Sequence, residues 1–215
     1  MKSVQLLLYL LLVISQATFS QENALPRSVA VFCASSDKIN PLYLQAARDV
    51  GRLCAENNMV ILFGGANSGM MGAMADAALA AGGTLKGFLP EAGRIWNVDH
   101  KEIQEMNWVQ SVYERLREFD EADAFIVLPG GIGTFHEALN VMAPKQYGIH
   151  AKPIIFVNVG GFFNNFLTFL EGLVLENTLK REHLNLVTVV SSVDEMINAL
   201  QKQSDGFLTH EWWRI

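Results

Sequence analysis

Two glycine-rich runs stand where an apolar segment gives way to a helix-like one, and their residue types suit the binding of a phosphate. The first is Gly64-Gly65-Ala66-Asn67-Ser68-Gly69-Met70-Met71-Gly72, following Val60-Ile61-Leu62-Phe63. The second is Pro129-Gly130-Gly131-Ile132-Gly133-Thr134-Phe135-His136-Glu137, following Ala124-Phe125-Ile126-Val127-Leu128. Glycine reaches positive φ and lets a ligand approach the backbone closely. The helix start beyond it offers unpaired N–H groups and the positive end of a dipole. Gly64, Gly65, Ser68, Gly69 and Met70 in the first run, and Gly130, Gly131, Gly133 and Thr134 in the second, are therefore the candidate substrate- and phosphate-binding positions. The Thr134 hydroxyl could serve at the helix cap. Neither run is a P-loop, because no Gly-Lys-Ser/Thr follows. Neither completes G-x-G-x-x-G, because Glu137 stands near the place of the third glycine. The plain alternative is a pair of tight strand-to-helix turns.

Glu137 lies three residues beyond Thr134 and so shares a helix face with the phosphate-binding end. A carboxylate in that place can act as acid or base or stabilise a developing cation. The other reading is a first-turn acid that balances the helix dipole.

These positions need a frame. From residue 27 onward, apolar runs of four to six residues alternate with amphipathic stretches of ten or more. The pattern predicts strands over 28–33, 60–63, 84–89, 124–128, 153–158 and 186–190, with a short one at 108–109. It predicts helices over 42–57, 70–81, 111–122, 134–148, 162–177 and 193–203, and loops over 90–105. Such alternation means βαβ units and a parallel sheet covered on both faces. The expected fold is α/β, a Rossmann-like doubly wound parallel sheet in a single domain over 27–203. Its ligands belong beyond the carboxyl ends of the strands. In the tail, 204–215, Trp212 and Trp213 are expected to pack on the body or on a partner subunit.

Composition narrows the function classes. Charged residues make up 18% of the 215, below the roughly 25% of an average globular chain, which excludes a disordered class. Two cysteines exclude a disulfide-built scaffold, and Cys33 and Cys54 read as buried thiols. A net charge of −6 argues against a nucleic-acid groove. The five histidines show no ligand spacing, so no metal site is expected. The mean hydropathy of +0.20 has one local source. Lys2 precedes an apolar run over 6–14, with Ser15-Gln16-Ala17-Thr18-Phe19-Ser20 beyond it. That is a secretory signal pattern over 1–20, with cleavage after Ala17 or Ser20, and it falls far short of a membrane span. It implies a secreted or periplasmic protein, or a cytoplasmic one if the signal is not used. An uncleaved anchor and a mistaken start are the other readings.

The second glycine run resembles PGGxGTxxE, the motif of the LONELY GUY family of cytokinin riboside 5′-monophosphate phosphoribohydrolases, formerly called lysine decarboxylases. Ala30–Ser36 (AVFCASS) resembles the family's VFCGSS, and Gly64–Gly72 its GGGxxGLMG. Gly148-Ile149-His150-Ala151-Lys152-Pro153 resembles its GIHxKP, and Gly161-Phe162-Phe163 its GYY. The resemblance covers about 28–203. It implies hydrolysis of the N-glycosidic bond of a purine nucleoside 5′-monophosphate, a cytokinin nucleotide or AMP, without cofactor or metal. It also implies a homodimer. Its catalytic pair falls on Glu137 and, if Val112-Tyr113-Glu114-Arg115-Leu116 is the family's MHERK segment, on Arg115. Here Val112-Tyr113 replace the family's Met-His and Leu116 its Lys, with Arg117 as a substitute cation. An alternative within the same fold is a non-catalytic nucleotide or molybdenum-cofactor carrier. A cofactor-dependent decarboxylase would need a Schiff-base lysine, for which Lys145 and Lys152 qualify by type alone.

Overall fold

The computed structural model describes residues 24–201. The signal pattern over 1–20 and the tail over 204–215 lie outside the described residues. Seven strands form one sheet: β1 (Ser28–Phe32), β2 (Val60–Phe63), β3 (Leu85–Pro90), β4 (Glu105–Val109), β5 (Ala124–Val127), β6 (Ile154–Val157) and β7 (Thr188–Val190). All pairings are parallel, in the order β4-β3-β2-β1-β5-β6-β7. This is the doubly wound α/β architecture. The chain builds outward from β1 to β4, then returns to lay β5 on the other side of β1. The order reverses between β1 and β5, so a crevice opens beyond the carboxyl ends of these two strands.

The helices are α1 (Pro41–Glu56), α2 (Gly69–Ala80), α3 (Val112–Asp120), α4 (Ile132–Gln146), α5 (Asn164–Leu175) and α6 (Val193–Gln201). Alternate residues of each central strand face opposite sides. Val29 and Val31 pack with Val50 of α1, Met74 of α2 and Met196 of α6. Ala30 and Phe32 pack with Phe119 of α3, Val141 of α4 and Leu170 of α5. The central strands β1 and β5 are buried on both faces, which is why they read as unbroken apolar runs.

The expected elements differ from the observed ones mainly at their ends. Residues 105–109 form a five-residue strand where the sequence pattern points only to 108–109. β4 is an edge strand whose first residue is exposed, so Glu105 and Asn107 interrupt the apolar signal around Met106. A 3₁₀ turn, Glu91–Trp96, occupies part of the expected loop. The helix expected from 162 begins at Asn164, because Gly160 and Gly161 take positive φ ahead of it. The strand expected from 186 begins at Thr188, Leu186 closing a 3₁₀ turn instead. α4 begins at Ile132, two residues before the expected start, and ends at Gln146.

α1 and α2 cross closely at Gly51. A Cβ there would lie 2.2 Å from the Met74 carbonyl oxygen and 3.2 Å from the Ala78 nitrogen. Backbone cannot move aside cheaply, so overpacking outweighs alanine's roughly 1 kcal/mol advantage in helix propensity. Gly51→Ala is expected to lower stability by about 2 kcal/mol, read from urea unfolding at unchanged m-value. An unchanged midpoint would contradict this packing.

Candidate active site

The crevice at the switch point holds a cavity of about 460 Å³, within the range of small-molecule sites. Cys33, Ala34, Ser35 and Ser36, beyond β1, line one part of it. Gly64, Ala66 and Ser68 follow β2, Leu89 and Pro90 end β3, and Gly131, Gly133, Thr134 and Glu137 follow β5. Met71, Val98 and Arg115 complete the lining.

Arg115 and Glu137 meet inside it. Arg115 Nη1 lies 2.7 Å from Glu137 Oε1. The Arg115 Nε donates to the Phe88 carbonyl at 2.7 Å, and its guanidinium carbon lies 5.1 Å from the centre of the Phe119 ring. A Cβ on residue 64 would sit 2.5 Å from Arg115 Nη2 and 2.7 Å from the Met71 sulfur. Glycine at 64 thus makes room for the guanidinium. Glu137 is only 3% exposed. Burial raises its carboxyl above the ordinary glutamate range, and the adjacent Arg115 charge and hydrogen bond oppose that rise. The Glu137 side chain lines the cavity while its Oε1 is held by Arg115. Cys33, at the end of β1, has its thiol pushed up by burial and further by the Glu137 carboxylate, which keeps it protonated.

The two glycine turns have different fates. At the start of α2, Gly69 takes positive φ (58°) and its amide donates to Asp37 Oδ1 at 2.8 Å. The amides of Met70 and Met71 donate to the Ala34 carbonyl at 2.9 and 3.3 Å, and Ser68 Oγ donates to the Ser35 carbonyl at 2.9 Å. This helix end is bonded to the chain's own β1–α1 loop. At the start of α4, Gly131 is the N-cap and its carbonyl accepts from Phe135 at 3.1 Å. The amides of Ile132, Gly133 and Thr134 come before the first intrahelical bond, and no group among the described residues accepts from them. Thr134 is the third residue of the helix, not its cap, and makes no capping bond.

Of the sequence-predicted positions, Gly64, Ser68, Gly131, Gly133, Thr134, Arg115 and Glu137 line the cavity. Gly65, Gly69, Met70 and Gly130 do not, and Met70 is fully buried. Arg117 is exposed and does not line the cavity, while Leu116 is buried. His136 is exposed, and both described cysteines are free and buried. The first-turn position expected for Glu137 is really the sixth residue of α4. Cys33–Ser36, absent from the expected site positions, line the cavity as well, because β1 is the central strand beside the switch point. Met71 lines it too, as a methionine at the start of α2 can, whereas Leu89, Pro90 and Val98 carry no local signal and become neighbours only through the sheet. No lysine lines the cavity: Lys145 is buried and donates to the Lys152 carbonyl, and Lys152 to the Asp120 carbonyl. Among the described residues, no group of three His, Cys, Asp or Glu side chains could hold a metal ion.

Fold and site define a doubly wound α/β protein with a buried carboxylate–guanidinium pair at the switch point. A family described as "Possible lysine decarboxylase" matches residues 71–200. A cytokinin riboside 5′-monophosphate phosphoribohydrolase of Arabidopsis thaliana is 31% identical over 191 residues, 87% of this chain and 90% of that one. One of Rhodococcoides fascians is 32% identical over 184 residues, 85% of this chain and 93% of that one. The chain belongs to this family, that of the LONELY GUY-type proteins. Among solved structures, the molybdenum cofactor binding protein of Rippkaea orientalis superposes with a TM-score of 0.63 at 21% identity, over 81% of this chain and 94% of that one. The Moco carrier protein of Chlamydomonas reinhardtii gives 0.63 at 19% identity, over 82% and 96%. These two show the shared fold.

The glycines of the second turn separate packing from ligand space. A Cβ at 130 would lie 2.1 Å from Thr134 Oγ1 and 2.6 Å from Thr134 Cβ, so rotating the threonine does not relieve it. At 133 a Cβ would meet nothing within 4 Å. Gly130→Ala is expected to destabilise the fold by about 2 kcal/mol. Gly133→Ala should leave stability unchanged or raise it by a few tenths to about 1 kcal/mol. Thermal unfolding of both checks this, and the reverse order would contradict it.

Proposed function

We propose that the protein is a phosphoribohydrolase that cleaves a purine nucleoside 5′-monophosphate to the free base and ribose 5-phosphate. The observation that carries the reading is Glu137, buried against Arg115 on a cavity bordered by the open amide end of α4. The names of the curated relatives support the same reaction.

The 5′-phosphate sits on the amides of Ile132, Gly133 and Thr134, where backbone donors and the helix dipole favour an anion. The ribose then lies beside Glu137, and the base lies against the apolar wall of Ala66, Met71, Leu89, Pro90 and Val98. When the C1′–N bond breaks, its electron pair leaves with the base and positive charge develops on the ribose. The Glu137 carboxylate stabilises that charge and takes a proton from the water whose oxygen bonds to C1′. The departing base takes up a proton from solvent. Arg115 keeps the buried carboxylate ionised and oriented. Thr134 Oγ1 adds a hydroxyl near the phosphate.

We further propose a homodimer and an exported mature chain. Ile132, Tyr113, Trp96 and Ile95 are between 68% and 87% exposed on the segments that flank the cavity, an apolar display that a second copy would cover. The signal pattern supports export. A mature N-terminus after residue 17 or 20 and a sedimentation mass of two chains are expected; an intact N-terminus or a monomer would contradict the respective proposal.

The purified protein is expected to release base from AMP or from isopentenyladenosine monophosphate. Glu137→Gln should lower that rate about 10³-fold while AMP still binds. Because the Glu137 carboxyl is raised, wild-type kcat/KM should fall as pH drops through a value above the roughly 4.3 of a free glutamate. Activity that survives Glu137→Gln would overturn the mechanism. Tight AMP binding with no release from either nucleotide would make the protein a carrier instead.

A further inference from the structure

Several buried titratable side chains take no part in the mechanism proposed above, His100 among them. His100 is 6% exposed. Its Nε2 lies 3.1 Å from Asp76 Oδ1 on α2, and its Nδ1 is buried with no hydrogen-bond partner among the described residues. A carboxylate only accepts, so Nε2 is the nitrogen that donates in this contact. A buried ring nitrogen without a partner is unfavourable, and an apolar side chain here would avoid it. What the imidazole provides in return is the link to α2.

That link secures a segment that no strand holds. Residues 98–100 cross the turn after β2 as an isolated antiparallel bridge, Ala66 against Asp99. The Asn67 amide donates to the Val98 carbonyl at 2.8 Å and the His100 amide to the Gly65 carbonyl at 2.9 Å. Val98 and Ala66 both line the cavity, and so does Met71, five residues before Asp76 on the same helix. The wall therefore has a loop side, Val98, and a helix side, Met71. The His100–Asp76 bond joins the two, from a buried imidazole to a largely exposed carboxylate.

We propose that His100 is a positioning residue: bonded to Asp76, it fixes the spacing between Val98 and Met71, the walls against which the base of the nucleotide rests. The proposal rests on the reading that this cavity takes a nucleotide. His100 touches neither the phosphate end of the site nor the Arg115–Glu137 pair, so its loss acts on binding of the base and leaves the bond-breaking groups in place.

The test uses the full chain with five variants and two readouts. His100→Ala and Asp76→Ala should each raise KM for AMP about tenfold, with kcat within about threefold of wild type, and the double variant should lose no more than either single one. His100→Gln, whose amide can still donate to Asp76, and Asp76→Asn, whose carbonyl can still accept from the imidazole, should stay near wild type. Hydrogen exchange at the Asn67 amide, which needs no ligand, should speed up at least tenfold in the two alanine variants and in neither conservative one. Unchanged KM and unchanged exchange in His100→Ala would overturn the proposal, as would a fall in kcat with KM held. If wild type binds AMP without releasing base, the hydrolase reading fails, and the same comparison of variants by AMP affinity still decides the role of His100. Wild type that neither binds nor cleaves AMP overturns both.

Discussion

The Arg115–Glu137 contact is the interaction on which the site depends. A carboxylate buried as deeply as Glu137 tends to stay protonated, and the guanidinium at 2.7 Å is what favours its charge. Arg115 is in turn held by the Phe88 carbonyl and the face of Phe119, and it passes through the space left by Gly64. The contact therefore draws on β2, β3, α3 and α4 at once. Removing one partner would leave the other charge buried and unpaired, which is costly. The sheet order makes the meeting possible, because β2 and β3 lie on one side of β1 and α4 follows β5 on the other.

A second constraint is the asymmetry between the two helix N-termini. Both follow a strand and a glycine turn, and each could hold an anion by local chemistry. At α2 the loop after β1 supplies Asp37, Ala34 and Ser35 to its amides and its cap hydroxyl. That bonding stiffens one wall of the cavity. At α4 the glycines leave the amides open, and Gly133 leaves space where a side chain would stand. One turn shapes the cavity, and the other is free to bind.

How much of this was legible in the sequence follows from how local each feature is. β1 and β5 read clearly because strands buried on both faces are apolar throughout. The second glycine turn and Glu137 read clearly because strand, turn and carboxylate fall within one short stretch. The start of α4 did not, because a glycine N-cap carries no side-chain signal and Thr134 resembles a cap. β4 was mostly hidden because an edge strand tolerates Glu105 and Asn107. The closure of α2 was invisible because Asp37 lies 32 residues before the amide that it meets. Arg117 looked like a replacement cation on spacing alone, whereas the helix turns it outward and Arg115 inward.

The central claim is that the open end of α4 and the paired Glu137 work on one ligand. A crystal structure of the Glu137→Gln protein with AMP tests it most directly. The arrangement predicts the phosphate on the amides of Ile132, Gly133 and Thr134, with the ribose C1′ beside the side chain of residue 137 and the base against Val98 and Met71. A phosphate seated at the start of α2, or a C1′ out of reach of residue 137, would contradict it.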